Sequence, residues 1–322
     1  MLIILIERES ESKSTSIDTL RAGCEHRRMN TRRRFIHQSV ASAAGALGLS
    51  AFAQQLKPQG ENITFGLVTY MLGAEWDIPT IINNLTELGI GGVELRVDHA
   101  HKVSPELNAE QRAKVRAQFE DSGIELVGLG TNWVFDSPDK EKLRTNLGEA
   151  KEWIKLSHDV GGSGVKVKPN NFHDKDGVPR EQTLEQIGKS LAQLGDHALG
   201  FGQEVRLEVH GDVTNLADIR KIMEIADCDN VRVCWNSNAA DLEGEGIEKN
   251  FALVKDFLGR TVHVHDLNDA KYPFATLAKL LVQADYAGWV LCESSTKAED
   301  KVKALGEQKA IWDRHMADAR KA

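Results

Sequence analysis

Residues 204–238, EVRLEVHGDVTNLADIRKIMEIADCDNVRVCWNSN, contain the pattern that decides the fold of this chain. Two short runs of β-branched and other apolar residues, 204–211 and 231–238, flank segment 215–227, whose apolar residues recur at helical spacing. This alternation predicts a strand, a helix and a second strand. Two strands joined by a helical crossover lie parallel in one sheet, so the sequence favours an α/β architecture.

The same unit repeats on both sides of this stretch. The other predicted strands, most of them followed by a helical segment, are ITFGLVTY (63–70), GGVELRVD (91–98), IELVGLGT (124–131), GVKVKPN (164–170), TVHVHDLN (261–268) and GWVLCESS (288–295). Glycines that stand where a helix would end before the next strand are Gly89, Gly123, Gly161 and Gly259. Eight units in about 250 residues is the size of a (β/α)8 TIM barrel. We predict one α/β domain of this kind over residues 54–322, because a doubly wound sheet would need a glycine-rich loop after its first strand.

Residues 1–53 are interpreted as an N-terminal extension with an export signal. TRRRFIHQSVASAAGALGLSAFA (31–53) joins three arginines to small apolar residues and ends on an A-x-A cleavage site. Its core, Arg32-Arg33-Arg34-Phe35-Ile36, resembles the twin-arginine signal read by the Tat export machinery, although a basic surface helix is the alternative. We expect translation from Met29, cleavage after Ala53 and a periplasmic location. Export also argues against a phosphorylated substrate, since cells keep sugar phosphates inside.

Composition excludes several classes of protein. The 322 residues are 41% hydrophobic and 27% charged, which is typical of a globular protein. The formal net charge is −8, and because residues 1–53 carry eight Lys or Arg and five Asp or Glu, it becomes −11 after cleavage. Such a charge disfavours nucleic-acid binding. No apolar run is long enough to span a bilayer, and the four cysteines form no CxxC pair.

Charged and polar residues collect at the carboxyl ends of the predicted strands, where barrel enzymes carry their active residues. Those placed there at two-residue spacing or beside it are Glu94, Arg96, Asp98, Lys166, Lys168, Arg206, Glu208, His210, Asn236, Asn238, His263, His265, Asp266 and Glu293. Each alone fits a structural salt bridge. Together they indicate a site, because burying so many ionisable groups is costly without partners or a metal.

Strands five to eight supply a plausible divalent-metal site: two carboxylates, an amide oxygen and an imidazole. Mn²⁺, Mg²⁺, Zn²⁺ and Co²⁺ are all compatible with such ligands. An ion there would polarise a sugar carbonyl and its neighbouring hydroxyl. That lowers the barrier to removal of the α-proton, which the carboxylates can carry.

At these residues the chain resembles the xylose isomerase-like TIM barrels, also called sugar phosphate isomerases/epimerases, over residues 63–320. The motifs that carry the resemblance are Gly92-Val93-Glu94-Leu95, Leu207-Glu208-Val209-His210-Gly211, His263-Val264-His265-Asp266 and Cys292-Glu293. The resemblance implies metal ligands at Glu208, Asn236, His263 and Glu293. His263 is preferred to His265 because the family's ligand stands three residues before an acidic residue.

The resemblance also implies catalytic roles. Glu208 and Glu293 would exchange protons with opposite faces of the substrate, with His210 and His265 beside them as further catalytic residues. Their positions at the strand ends, or just after strand three for Trp133, predict that the following residues bind the sugar: Glu94, Arg96, Trp133, Lys166, Lys168, Asn238 and Asp266. One position departs from the family: Asn236 and Ala239 replace its strand-six aspartate and histidine, which removes a negative charge and weakens the expected metal site.

The sequence therefore predicts an exported isomerase or epimerase that acts on an unphosphorylated sugar. Two alternatives stay open. A lyase would remove the same proton and then expel a β-substituent such as a glycosidic oxygen. A carbohydrate-binding barrel without catalysis would account for Asn236. A metal-dependent nuclease on the same barrel is disfavoured by the charge, by export and by too few extra His and Asp ligands.

Overall fold

A computed structural model describes residues 59–321, and these residues form a closed barrel of eight parallel strands. The strands are β1 Ile63–Val68, β2 Gly92–Arg96, β3 Glu125–Val134, β4 Gly164–Lys168, β5 Glu204–Glu208, β6 Val231–Asn236, β7 Leu258–Val264 and β8 Gly288–Cys292. The helices in the same part of the chain are α1 Ile78–Leu88, α2 Ala109–Ser122, α3 Lys140–Asp159, α4 Arg180–Leu199, α5 Leu216–Ala226, α6 Ile247–Val254, α7 Phe274–Gln283 and α8 Lys301–Ala319.

Pairing between β1 and β8 closes the barrel. The paired residues run from Ile63 opposite Gly288 to Leu67 opposite Cys292. This confirms the predicted fold class of a single (β/α)8 barrel. The twin-arginine signal and its cleavage site lie outside the described residues. Across residues 59–321, no helix combines the length and the apolar character needed to cross a membrane.

Helix boundaries follow local signals in the sequence. Asp77 caps α1 by accepting a hydrogen bond from the backbone N–H of Thr80. Gly89 and Gly123 end α1 and α2 in the left-handed conformation, with φ of 63° and 75°, as predicted. The same prediction is wrong for Gly259, which lies inside β7. A Cβ there would come within 2.7 Å of the Arg232 Cβ, so Gly259 serves the close approach of two strands.

Glycines also make room for charged side chains inside the barrel. A Cβ on Gly130 would lie 2.6 Å from the Glu94 carboxylate. One on Gly128 would lie 2.7 Å from the Arg206 guanidinium. Apolar residues fill the layer between strands and helices instead, where Trp235 and Trp312 are among the largest fully buried side chains. Charged side chains therefore lie inside the barrel, and the apolar core lies between the strands and the surrounding helices.

Several predicted strands end earlier in the structure than in the sequence analysis. β5 ends at Glu208 and β6 at Asn236, so His210 and Asn238 lie in the loops that follow. The chain turns at Gly211, whose φ is 74°, and Asn238 precedes a short 3-10 turn at Ala239–Leu242. These loops carry the two side chains over the mouth of the barrel.

Candidate active site

A cavity of about 660 Å³ opens at the carboxyl ends of the strands. The loops after the strands and the last residues of the strands form its wall. Predicted residues that line it are Arg96, Lys168, Glu208, His210, Asn236, Asn238, His265, Asp266 and Glu293. The two-residue spacing at the strand ends therefore located most of the cavity's polar wall.

Two carboxylates approach one imidazole at the floor of this cavity. His263 Nδ1 lies 3.4 Å from Glu208 Oε1 and 3.4 Å from Glu293 Oε2. One donor atom from each of these three residues lies within 4.8 Å of the others. All three residues are buried, and their positions are fixed by β5, by β7 and by the backbone bond from Glu293 N–H to the Val264 carbonyl. The arrangement matches the spacing of a group that holds a metal ion.

The second nitrogen of His263 faces another carboxylate. Nε2 lies 3.3 Å from Glu94 Oε1, and both residues are fully buried. Burial alone would raise the pKa of Glu94, but the charges of His263, Lys166 and Arg206 hold it below its ordinary value. A carboxylate beside one nitrogen of a histidine favours the proton on that nitrogen. The other nitrogen is then free to bind a metal. In this chain that arrangement leaves Nδ1 facing Glu208 and Glu293.

The surroundings of His263 favour its doubly protonated, positively charged form. Burial opposes its protonation, yet Cys234 and the carboxylates of Glu94 and Glu208 raise the pKa of His263 well above its ordinary value. A metal ion would therefore displace a proton from the imidazole on binding.

Lys166 on β4 neutralises Glu208 from the other side. Its Nζ donates to Glu208 Oε2 over 2.7 Å, and both side chains are buried. Burial alone would raise the pKa of Glu208, but Lys166, His263 and Lys168 hold it well below its ordinary value. Glu208 is therefore a carboxylate at all physiological pH values, and its Oε1 stays directed at His263.

The donor atoms present fit a divalent metal. Asn236 Oδ1 and His263 Nδ1 are buried atoms without a hydrogen-bond partner in the described structure. The Asn236 amide donates to Glu208 Oε1 over 3.2 Å, so Asn236 lies beside one of the candidate ligand carboxylates. Carboxylate and amide oxygens together with an imidazole nitrogen are a donor set that suits a hard or borderline ion.

Three of the predicted sugar-binding residues do not line the cavity. Glu94 and Lys166 are completely buried, Glu94 behind His263 and Lys166 beneath Glu208. Trp133 is half-buried and packs against the apolar core. These three side chains therefore lie away from the cavity wall, with Glu94 facing His263 and Lys166 paired with Glu208.

The other predicted residues form the wall above the Glu–His–Glu group. Lys168 Nζ lies 3.4 Å from His210 Nε2, and burial lowers the pKa of His210. The backbone N–H of His265 donates to Ser237 Oγ. Asp266 accepts hydrogen bonds from the hydroxyls of Ser294, Ser295 and Thr296, which lower its pKa against the effect of burial. Asp266 thus ties the loop after β8 to the loop after β7.

Aromatic residues that the sequence analysis missed also line the cavity. They are Tyr70, Tyr272 and Phe274. Tyr70 follows β1 by two residues, so the rule applied to the other strand ends would have found it. Tyr272 and Phe274 stand well beyond the end of β7, where neither strand alternation nor a motif marks them.

The fold and site together define a barrel of the (β/α)8 class with a candidate metal-binding group at the carboxyl ends of β5, β7 and β8. Residues 82–315 match the family model described as xylose isomerase-like TIM barrel, and the chain belongs to that family. No curated protein sequence matches the chain significantly.

Solved structures similar to this chain include sugar epimerases. The 3-keto-D-glucoside 4-epimerase from E. coli is 19% identical with a TM-score of 0.65, over 79% of this chain and 99% of that one. L-ribulose 3-epimerase is 14% identical with a TM-score of 0.67, over 80% and 96% of the two chains. The IOLI protein, solved with a zinc atom, is 15% identical with a TM-score of 0.63, over 80% and 98%. At these identities the similarity establishes the fold.

Proposed function

We propose that this protein is a divalent-metal-dependent sugar isomerase or epimerase that removes a proton next to a carbonyl group of an unphosphorylated sugar. The observation that carries the proposal is the pair of carboxylates, Glu208 and Glu293, on either side of His263 Nδ1 at the floor of an open cavity. The activities of the two epimerases above support it, as does the zinc atom of the IOLI protein.

Glu208, Asn236, His263 and Glu293 would hold the ion. When bound there, a divalent ion supplies polarisation of the sugar carbonyl and of the neighbouring hydroxyl. The protein contributes the fixed orientation of the ligands, through Glu94 behind His263 and Lys166 behind Glu208.

Glu293 is the better proton acceptor of the two carboxylates. It lines the cavity, and within the described structure no lysine or arginine pairs with it. Glu208 is held by Lys166 at 2.7 Å and approached by Lys168 at 3.9 Å. Glu293 would take the α-proton, while Glu208 would face the other side of the same carbon. His210 and Lys168 line the same cavity, where they would bind the sugar's hydroxyl groups.

The Lys166–Glu208 ion pair favours a second candidate, a lyase that acts on keto-glycosides. An epimerase must return a proton to the opposite face, and a carboxylate held ionised by lysine is a poor acid for that step. β-Elimination needs one base only. Glu293 would take the α-proton, its C–H electrons would form the new double bond, and the glycosidic oxygen would leave with its electron pair and be protonated by solvent.

We also propose that residues 1–53 direct export to the periplasm. Replacement of both Arg32 and Arg33 by Lys should retain the uncleaved precursor in the cytoplasm of a host with a twin-arginine pathway. Export of that variant at the original level would contradict this part of the proposal.

Deuterium exchange tests the reaction. The metal-loaded protein is incubated in D2O with keto-sugars and keto-glycosides, and incorporation next to the carbonyl is followed by NMR. We expect exchange with the wild type and a loss of about 10²- to 10⁴-fold in Glu293→Gln. The matched control Glu185→Gln, in an exposed ion pair with Lys189, should exchange normally.

The products separate the candidate functions. Deuterium in an epimer or isomer supports the first candidate, and release of the aglycone supports the lyase. Sugar binding without any exchange contradicts both and leaves a carbohydrate-binding barrel.

A further inference from the structure

Arg96, at the end of β2, is held in place at several points. Its backbone N–H donates to Thr69 Oγ1 over 2.8 Å, and its carbonyl accepts from His101 Nε2 over 2.8 Å. The guanidinium lies over the ring of Tyr70, 5.0 Å from its centroid, and Nη2 donates to Asn132 Oδ1. Every one of these partners is neutral, so they orient the positive charge without compensating it.

Among the described residues Arg96 has no acidic partner, unlike Arg112 and Arg206, which are also shielded from solvent. Arg112 pairs with Asp159 at 2.8 Å and Arg206 with Glu204 at 2.7 Å. Between residues 59 and 321, no carboxylate lies within salt-bridge distance of Arg96, and its Nε is buried without a hydrogen-bond partner. Because Arg96 lines the cavity, the molecule that enters the cavity is the available partner.

Lys168 brings a second positive charge to the same side of the cavity. β2 and β4, which end on Arg96 and Lys168, flank β3 in the closed barrel. Lys168 Nζ is 3.9 Å from Glu208 Oε2, but Lys166 already occupies that oxygen at 2.7 Å. Burial and the like charges of Lys166 and Arg96 lower the pKa of Lys168 to about 8, so it is still mostly charged at neutral pH.

The charges of the site leave room for an anion. The negative charges of Glu94, Glu208 and Glu293 are matched in number by the positive charges of Lys166, Lys168 and Arg96. A divalent ion among the ligands would therefore give the site an excess of positive charge. Of the remaining carboxylates on the cavity wall, Asp266 keeps its negative charge and offsets one of the two positive charges that the ion would add, while Asp269 stands at the exposed rim with Lys271.

We infer that the substrate carries an anionic oxygen group, which Arg96 binds with the help of Lys168. Arginine suits this role because its planar guanidinium donates two parallel hydrogen bonds to a carboxylate or a phosphate. The inference rests on the proposed function and names its substrate class: an acid sugar, such as a uronate, in place of a neutral one. A phosphate ester shares the same chemistry, while the proposed export favours the carboxylate.

Binding measurements test this inference without requiring turnover. Isothermal titration calorimetry on the metal-loaded protein compares a panel of hexuronates with the corresponding hexoses and hexose 6-phosphates. We expect the anionic sugars to bind about tenfold or more tightly than the hexoses, as a charge-assisted hydrogen-bond pair provides. Arg96→Gln should abolish this preference, Arg96→Lys should keep part of it, and exposed Lys279→Gln should leave it intact.

Each outcome decides the inference. A preference that depends on Arg96 supports it, and the tighter of the two anionic series identifies carboxylate or phosphate. Equal affinity for hexoses and anionic sugars overturns it, as does the absence of measurable affinity for any anionic sugar in the panel. A preference that survives in a folded Arg96→Gln protein overturns it as well. Deuterium exchange reports on the proposed function separately, so anion binding without exchange would reject the reaction and keep the anion site.

Discussion

Lys166 and Glu208 form a buried ion pair in which each charge compensates the other. Lys166→Met leaves the carboxylate of Glu208 without its nearest cation, so we expect the free energy of unfolding to fall by about 3–5 kcal/mol. Urea unfolding at pH 7 measures the change. The matched control is Lys189→Met, which breaks the exposed pair with Glu185 and should cost less than about 1 kcal/mol.

A double variant separates the ion pair from packing effects. Lys166→Met combined with Glu208→Gln removes both charges, so its loss of stability should be smaller than the sum of the two single losses. Strictly additive losses would show that the pair has no coupling and would contradict the charge arrangement described for the barrel interior.

Asp241, which is not one of the candidate metal ligands, should make the free energy of unfolding depend on pH. Its carboxylate accepts from the Tyr272 hydroxyl and from Asn238 N–H, and burial raises its pKa to about 7. Because this value exceeds that of the unfolded chain, about 3.9, the stabilising contribution is complete below pH 4. It is then lost as the pH rises towards 7, at up to about 1.4 kcal/mol per pH unit.

Asp241→Asn should remove this dependence while keeping an acceptor for Tyr272. Denaturant unfolding at pH 5 and pH 8 compares the two proteins. The wild type should lose more stability than the variant between these pH values. An identical loss in both proteins would assign the dependence to other groups.

At the residue scale, the alternation of residues along a strand predicted which side chains face the barrel interior, but not how deep in the barrel each one lies. Glu94 and Arg96 share one face of β2, and both were expected at the substrate. A strand rises about 3.3 Å per residue, so Glu94 lies deeper in the barrel than Arg96, which is at the rim. Lys166 and Lys168 differ in the same way: the first residue of each pair holds another side chain, and the second lines the cavity.

At the scale of the structural element, substitution of Gly130 on β3 tests how tightly the strand packs against the buried carboxylate of Glu94. A Cβ at this position would lie 2.6 Å from Glu94 Oε1, so Gly130→Ala must displace the carboxylate that orients His263. We expect a loss of stability of about 1–3 kcal/mol. Thermal unfolding measures it.

Gly148→Ala is the matched control, since Gly148 lies in the exposed interior of α3 with open space around it. That substitution should stabilise the protein by roughly 0.5–1 kcal/mol. The same chemical change is thus expected to have opposite effects on stability at the two positions. A neutral effect of Gly130→Ala would contradict the tight packing against Glu94.

Elements were predictable where the signal is local. Gly89 and Gly123 end helices because a left-handed residue is needed there. Gly259 carries the same residue type but lies inside a strand, because Arg232 on the neighbouring strand leaves no space for a side chain. The sequence shows where a glycine stands. Only the tertiary structure shows whether that glycine is needed for a left-handed backbone conformation or for close packing.

At the scale of the whole molecule, the repeated strand–helix unit was sufficient to predict the closed barrel. The composition of its interior was not predictable in the same way. Glu94 on β2, for example, faces His263 on β7, a strand distant in sequence. Only closure of the barrel brings such strands together, so their pairing has no local signature.

Metal content is the most direct test of the candidate metal site at Glu208, Asn236, His263 and Glu293. The protein is purified from an export-competent host without chelators, and its metals are measured by inductively coupled plasma mass spectrometry beside Glu208→Gln and the control Glu185→Gln. We predict about one divalent ion per chain in the wild type and the control, and its loss in Glu208→Gln. Absence of metal from all three proteins, or full retention in Glu208→Gln, would contradict a metal-assisted reaction at this site.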